Sequence, residues 1–205
     1  MSANSVIVVT GGASGIGAAC VKHFVRRGDT VVVIDLPGAW KPERMGVTVA
    51  AVHDGDVTDD ARMRALVDVI ARDHGPVTGL INCAGILQHR LPPETLTMTE
   101  WDRVIAVDQR GTYLTSVVFG ERMARRGEGA IVNIASITGT RSVPLHAYAP
   151  AKAAVLSITQ CLAAEWGRSG VRVNAISPGY TLTEALQAAI DRGLQAVSYT
   201  HLTLP

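Results

Sequence analysis

The chain has 205 residues, 47% of them hydrophobic, which suits one domain with a substantial buried core. Its 19 basic and 18 acidic side chains leave a formal charge of +1 and form no block, which argues against nucleic acid or an anionic membrane as partner. Cys20, Cys83 and Cys161 are too few and too scattered for a disulfide framework or a metal knuckle, and the apolar runs are strand-sized. The expectation is a cytoplasmic protein with no bound metal, signal peptide or membrane span.

In chain order, short β-branched runs alternate with stretches of helical periodicity. SVIVVT is followed by a helix from about Gly15 to Arg27, then by TVVVID, by VTVAAVH (residues 47–53), and by a helix through Ala61 to Arg72. The second half continues with GLINCAG, a long helix from about Glu100 to Arg126, AIVNIAS, a helix from about Tyr148 to Trp166, and VRVNAIS. Continuous apolar strands between helices predict a parallel α/β sheet of six strands covered on both faces. Gly28, Gly75, Gly127 and Gly170 each fall just past a helical segment, where a positive φ ends a helix at little cost.

The first strand runs into Thr10-Gly11-Gly12-Ala13-Ser14-Gly15-Ile16-Gly17 and directly on into a helix. Glycines at Gly11, Gly15 and Gly17 let the backbone approach a pyrophosphate, which the helix N-terminus, with Ser14 and Ile16, is placed to hold. Asp35 ends the second strand 18 residues beyond Gly17, where a carboxylate accepts from the adenosine ribose hydroxyls and repels a 2′-phosphate. That favours NAD as the cofactor; the structural alternative is a turn cap before Leu36-Pro37-Gly38. Tyr148 and Lys152 are four apart, on one helix face. A free phenol titrates near pH ~10, and an adjacent ammonium stabilises its phenolate, so this pair can exchange a proton with an alkoxide.

These signals, taken in order, resemble the short-chain dehydrogenase/reductase family over about Ser5 to Leu186. The matching positions are the glycine turn, Asp56-Val57, Asn82-Cys83-Ala84-Gly85, Ser136, Tyr148-Ala-Pro-Ala-Lys152, and Asn174 through Ser177-Pro178-Gly179 to Thr181 and Thr183. The resemblance implies a Rossmann doubly wound fold with six strands present of an expected seven. It also implies a Ser136, Tyr148, Lys152 catalytic set with Asp108 in a proton relay. Around NAD it implies Asp56 and Val57 at the adenine, and Asn82, Ala84 and Gly85 along the adenosine. Pro178, Gly179, Thr181 and Thr183 would lie at the nicotinamide and pyrophosphate, with Tyr148 and Lys152 also touching the cofactor.

Two positions depart from the family pattern. Cys83 stands where asparagine is frequent and is expected to pack as a small apolar group. Asp108 replaces the usual asparagine; its main-chain carbonyl preserves the relay, while its carboxylate is expected to pair with Lys152 and raise that lysine's pKa. Substrate contacts are sought in residues 87–91, in residues 138–146 and after Gly179. Gln88, His89, Arg141 and His146 are candidates there, and equally candidates for solvated loop positions.

The functional expectation is hydride transfer between NAD(H) and a secondary alcohol or ketone, of polyol or sugar-alcohol type, by a homodimer or homotetramer. The alternatives are a 3-oxoacyl-thioester (acyl carrier protein) reductase and a non-catalytic nucleotide-binding scaffold. Residues 1–196 are expected to form a single, C-terminally incomplete domain. Residues 197–205, VSYTHLTLP, read as one frame of a transposon-type library adapter and are expected to be non-native.

Overall fold

The computed structural model describes residues 5–141 and 143–191; the string 197–205 lies outside the described residues. Six strands form one parallel sheet: β1 (Val6–Thr10), β2 (Thr30–Asp35), β3 (Ala51–Asp54), β4 (Val77–Asn82), β5 (Gly129–Ile134) and β6 (Val171–Ile176), in the order β3-β2-β1-β4-β5-β6. The helices are α1 (Gly15–Arg26), α2 (Pro42–Met45), α3 (Asp60–His74), α4 (Met98–Val104), α5 (Thr112–Arg126), α6 (Tyr148–Trp166) and α7 (Glu184–Asp191). A π-helical segment, Ile105–Gly111, joins α4 to α5.

The apolar strands β1 and β2 take a central place because each must bury both faces, whereas β6 leaves Arg172, Asn174 and Ile176 exposed. Along β1, Val6 and Val8 enter one core with Ile34, Met63, Leu66, Phe119 and Met123, while Ile7 and Val9 enter the opposite core with Val21, Val31 and Val33. That alternation is the period of two of a strand with helices on both sides. Each fully buried valine or isoleucine contributes about 1.5–3 kcal/mol. A third, smaller cluster of Leu96, Val104, Ala147 and Ala151 lies between α4 and the start of α6.

Gly28, Gly75, Gly127 and Gly170 all adopt positive φ just after helical segments. The third strand is shorter than expected. It pairs with β2 only from Val32↔Ala51 to Asp35↔Asp54, and Val47 and Val49 pack on the core without joining the ladder. The long helix expected from about Glu100 begins at Met98, where Thr97 Oγ1 accepts from Glu100 N at 3.2 Å, and is interrupted by the π-helical segment. No helix among the described residues is long and apolar enough to cross a membrane.

Candidate active site

The order β3-β2-β1-β4-β5-β6 reverses direction between β1 and β4, and ligands of such sheets bind beyond the carboxyl ends of the strands at that point. A cleft of about 980 Å³ opens there. Its lining includes Gly11, Ser14, Gly15 and Ile16 after β1, Asp35 after β2, Asp56 and Val57 after β3, and Ala84 and Gly85 after β4. Ser136 after β5, Tyr148 and Lys152 of α6, Asp108 of the π-helical segment, and Pro178, Gly179, Thr181 and Thr183 after β6 complete the expected set in that lining.

The glycine turn is built for close approach. Gly11 has φ +65, and a Cβ there would lie 2.7 Å from the Ala84 backbone. Thr10 Oγ1 accepts from Cys83 N at 3.2 Å and Ala84 N at 3.3 Å, tying the ends of β1 and β4 together. At the start of α1, Ser14 makes no side-chain cap and the first turn holds no acidic residue. The helix therefore presents N–H groups and the positive end of its dipole to the cleft, which fits the pyrophosphate of a dinucleotide. Asp35 is held at the lip of this turn, its Oδ2 accepting from Ala13 N and its Oδ1 from Leu36 N, both at 2.8 Å. Asp56 Oδ1 accepts from Thr58 N and Thr58 Oγ1, both at 2.8 Å, while Val57 is buried beside it.

Two expected cofactor residues lie elsewhere. Gly17 is absent from the cleft lining; a Cβ on it would run into the Gly11 carbonyl oxygen, so its part is to let α1 pack on the turn. Asn82 is 3% exposed and faces the interior. Its Nδ2 donates to Ser116 Oγ at 2.8 Å and Asn133 Oδ1 at 2.9 Å, and its Oδ1 accepts from Thr115 Oγ1 at 2.7 Å. Asn133 Nδ2 continues the chain to Thr159 Oγ1 at 2.9 Å, so β4, β5, α5 and α6 share one satisfied polar core. Sequence reasoning missed this network, whose signal is an asparagine in each of two apolar strands, in register as Asn82↔Asn133.

At the end of the cleft beyond β5, Ser136 is 8% exposed and its Oγ accepts from Thr138 N at 3.2 Å and Thr138 Oγ1 at 3.0 Å. Lys152 Nζ lies 5.5 Å from the centroid of the Tyr148 ring and donates to Ile134 O at 3.0 Å. It also sits 2.9 Å from Asp108 Oδ1, with both side chains buried. Asp108 Oδ2 accepts from Ile86 N at 3.1 Å, and the Asp108 carbonyl accepts from Thr112 Oγ1 at 2.8 Å.

Burial raises the Asp108 carboxyl pKa above its ordinary value, partly opposed by Lys152. Burial also works to lower Lys152, but Asp108 and Tyr148 together outweigh it and hold the ammonium above its usual value. Tyr148 is raised by burial, with Lys152 pulling down and Asp108 pushing up. Cys83 packs against the second core cluster, and burial pushes its thiol up to about 12, leaving it a neutral apolar group.

Gln88 and His89 line the same cleft as Ser136 and Tyr148, with Arg141, whereas His146 lines an adjoining hollow with Val143 and Pro144. Gln88 is buried, and its Oε1 accepts from Ala147 N and Tyr148 N. Glu100 and Arg103 of α4 also reach the cleft, paired at 2.9 Å, and were not anticipated from the sequence. Thr183 Oγ1 caps α7 by accepting from Leu186 N at 3.2 Å while its methyl touches the space above Gly15. Among the described residues no group of three or more His, Cys, Asp or Glu side chains is placed to hold a metal ion.

A profile described as short chain dehydrogenase matches residues 5–192. The chain belongs to the short chain dehydrogenase family. Within that family it is 39% identical over 193 residues to a D-threitol dehydrogenase of Mycolicibacterium smegmatis, covering 91% of this chain and 74% of the relative. It is 40% identical over 188 residues to a galactitol 2-dehydrogenase of Rhizobium johnstonii, covering 88% and 73%.

Among solved structures, one described as a ribose-5-phosphate isomerase from Brucella melitensis 16M superposes with a TM-score of 0.88 at 45% identity, covering 94% of this chain and 75% of that one. Structures of the same fold include an NAD+-bound xylitol dehydrogenase (TM-score 0.86, 26% identity, 96% and 79% covered) and an NADPH-bound ElxO variant (TM-score 0.82, 27% identity, 93% and 79% covered). As a short chain dehydrogenase with secondary-alcohol dehydrogenases among its relatives, the protein is an oxidoreductase of alcohols and ketones that uses a nicotinamide cofactor.

Proposed function

We propose that this short chain dehydrogenase is NAD-dependent and oxidises a secondary hydroxyl of a polyol or sugar alcohol, running the reverse reduction on the corresponding ketone. The observation that carries the cofactor choice is Asp35. Its carboxylate is pinned by Ala13 N and Leu36 N at the lip of the glycine turn, where a 2′-phosphate would meet a fixed negative charge. That charge also weighs against a 3-oxoacyl-thioester reductase drawing on NADPH. The polyol assignment is supported by the threitol and galactitol dehydrogenases among the relatives and by the polar side chains of His89, Glu100, Arg103 and Arg141 around the catalytic end.

In this reading Gly11, Ser14, Gly15 and Ile16 hold the pyrophosphate. Asp35 holds the adenosine ribose, Asp56 and Val57 the adenine, and Ala84 and Gly85 line the adenosine side. Pro178, Gly179, Thr181 and Thr183 close over the nicotinamide half. The cofactor supplies the hydride acceptor for oxidation and the donor for reduction. Ser136 orients the substrate oxygen. Tyr148 takes the hydroxyl proton during oxidation and returns it to the alkoxide during reduction. Lys152, kept charged, stabilises the phenolate formed in the first case. Asp108 anchors Lys152 and moderates its field. The molecule acts in the cytoplasm as a homodimer or homotetramer through α5 and α6, a reading supported by the exposed Tyr113 on α5 and the exposed Ala153 on α6.

The test is a panel of polyols, simple secondary alcohols and their ketones assayed with NAD(H) and NADP(H). The expected outcome is the highest kcat/KM for a polyol with NAD. Activity confined to acyl thioesters, or a higher kcat/KM with NADP, overturns the assignment.

A further inference from the structure

Helix α6 begins at Tyr148, and the residue before it, Ala147, has only a methyl group to offer the unpaired N–H groups of the first turn. The acceptor comes from about sixty residues earlier in the chain. Gln88 Oε1 lies 2.7 Å from Ala147 N and 3.0 Å from Tyr148 N. Two N–H donors on one oxygen settle the orientation of the amide: the oxygen faces the helix, and the NH2 group faces away. That Nε2 is shut off from solvent and has no acceptor among the described residues, in a side chain that is 6% exposed overall.

A buried donor without a partner is a cost that glutamine carries and glutamate would not. A glutamate would accept both N–H groups and would complement the helix dipole as well. It would also bring a full negative charge against the first residue of the helix, which is Tyr148. The groups already facing that phenol are Lys152 from α6, Asp108 from the π-helical segment, Cys83 after β4 and Ser136 after β5. Near Gln88, Glu100 pairs with both His89 and Arg103, and Arg141 and His146 belong to the segment leading into α6. Among the described residues Asp108 is the carboxylate that raises the phenol, and a second would raise the barrier to phenolate formation further.

We infer that Gln88 is a positioning residue for the acid/base: an uncharged long-range cap that holds the Tyr148 backbone while keeping a second negative charge away from its phenol. The inference rests on the reading of Tyr148 given under Proposed function. It also assigns the loop after β4 a mechanical part, because Gln88 of that loop holds the first turn of α6.

The experiment compares the unmodified protein with Gln88→Leu, Gln88→Glu and Tyr148→Phe for kcat, KM and pH profile of alcohol oxidation, NADH binding by fluorescence, and Tm. Gln88→Leu is expected to lose roughly ten- to a hundredfold in kcat, the scale of a small misplacement of a reacting group, with NADH affinity little changed. Gln88→Glu retains the cap at the cost of burying a carboxylate, so it should fold and melt cooperatively. Its kcat should recover at alkaline pH, with the half-maximal point moved upward by about one unit. A Gln88→Leu protein with unchanged kcat, or a Gln88→Glu protein with an unmoved pH profile, overturns the inference. If Gln88→Leu does not fold, the Gln88→Glu profile decides alone. Substantial activity in Tyr148→Phe instead overturns the acid/base reading, and the inference falls with it. An inactive Tyr148→Phe beside an unaffected Gln88→Leu isolates the failure to Gln88.

Discussion

Replacing Asp108 by asparagine removes one charge from a buried pair without removing the side chain's shape. At the 2.9 Å separation of Asp108 Oδ1 and Lys152 Nζ, the pair attracts by about 6 kcal/mol at an effective dielectric of 20, set against the desolvation of both groups. The carboxylate also answers two neighbours at once, Ile86 N at 3.1 Å and the lysine, whereas an asparagine has a single acceptor oxygen. The loss therefore approaches the ~3–5 kcal/mol of breaking a buried pair, moderated because Lys152 keeps its bond to Ile134 O. At about 2–4 °C per kcal/mol for a domain of this size, Tm should fall by roughly 6–20 °C.

The effect on the chemistry has the opposite sense. Asp108 pushes the Tyr148 pKa up, so its removal leaves the Lys152 field less opposed and makes the phenol more acidic. The pH of half-maximal kcat for alcohol oxidation should move down by about one unit. A pH series of initial rates from about pH 6 to pH 10, with thermal melts alongside, reads both quantities. An alkaline shift would mean that Lys152 had lost its own proton, and an unmoved profile with an unmoved Tm would mean that the pair does not act; either refutes the argument. Because Lys152 is held above its ordinary value, its own contribution to stability is present through neutral pH and is lost as pH rises past the folded value, whereas the raised Asp108 carboxyl takes stability away as it ionises.

Tyr148→Phe should abolish turnover while NADH still binds, because the ring is kept and only the proton carrier is lost; titration of cofactor fluorescence checks the second half. Asp35→Ser combined with Leu36→Arg should move the kcat/KM ratio toward NADP, since it replaces a pinned negative charge by a positive one beside the ribose position. Retention of the original ratio would show that the discrimination lies elsewhere. Gly17→Ala should cost both Tm and cofactor affinity, because the added methyl meets the Gly11 carbonyl, a backbone atom without freedom to move aside. A well-folded variant with undiminished affinity would contradict that geometry.

The parts of the site that could be read from the sequence are those whose physics is local. The glycine turn, Asp35 at a strand end, and the four-residue spacing of Tyr148 and Lys152 each follow from neighbours in the chain. The Asp108–Lys152 contact was anticipated because the resemblance had already placed both residues in one relay. Gln88 is different: its role depends on meeting the N-terminus of a helix about sixty residues away, and no periodicity encodes that meeting. Asn82 misled for a related reason. Its motif adjoins the cofactor cleft, but strand alternation turns its side chain inward to Ser116 and Asn133. The third strand came out short because an edge strand with one partner needs to match only part of β2.

The π-helical segment at Ile105–Gly111 has a consequence for which changes of chain length the fold can absorb. Each residue in an α-helix turns the chain by about 100°, so a segment wound more loosely shifts the angular phase of everything beyond it. Before the segment, α4 directs Val104 and Trp101 toward the small cluster beneath the start of α6. After it, α5 directs Leu114, Val118 and Phe119 toward the sheet, and Thr115 and Ser116 toward Asn82. These two orientations are reconciled only by the looser winding between them. Deleting one residue from 105–111 would let the helix relax to regular α geometry and would rotate one of the two contact surfaces out of alignment. A substitution there alters one side chain, whereas a single-residue deletion dephases two packing interfaces.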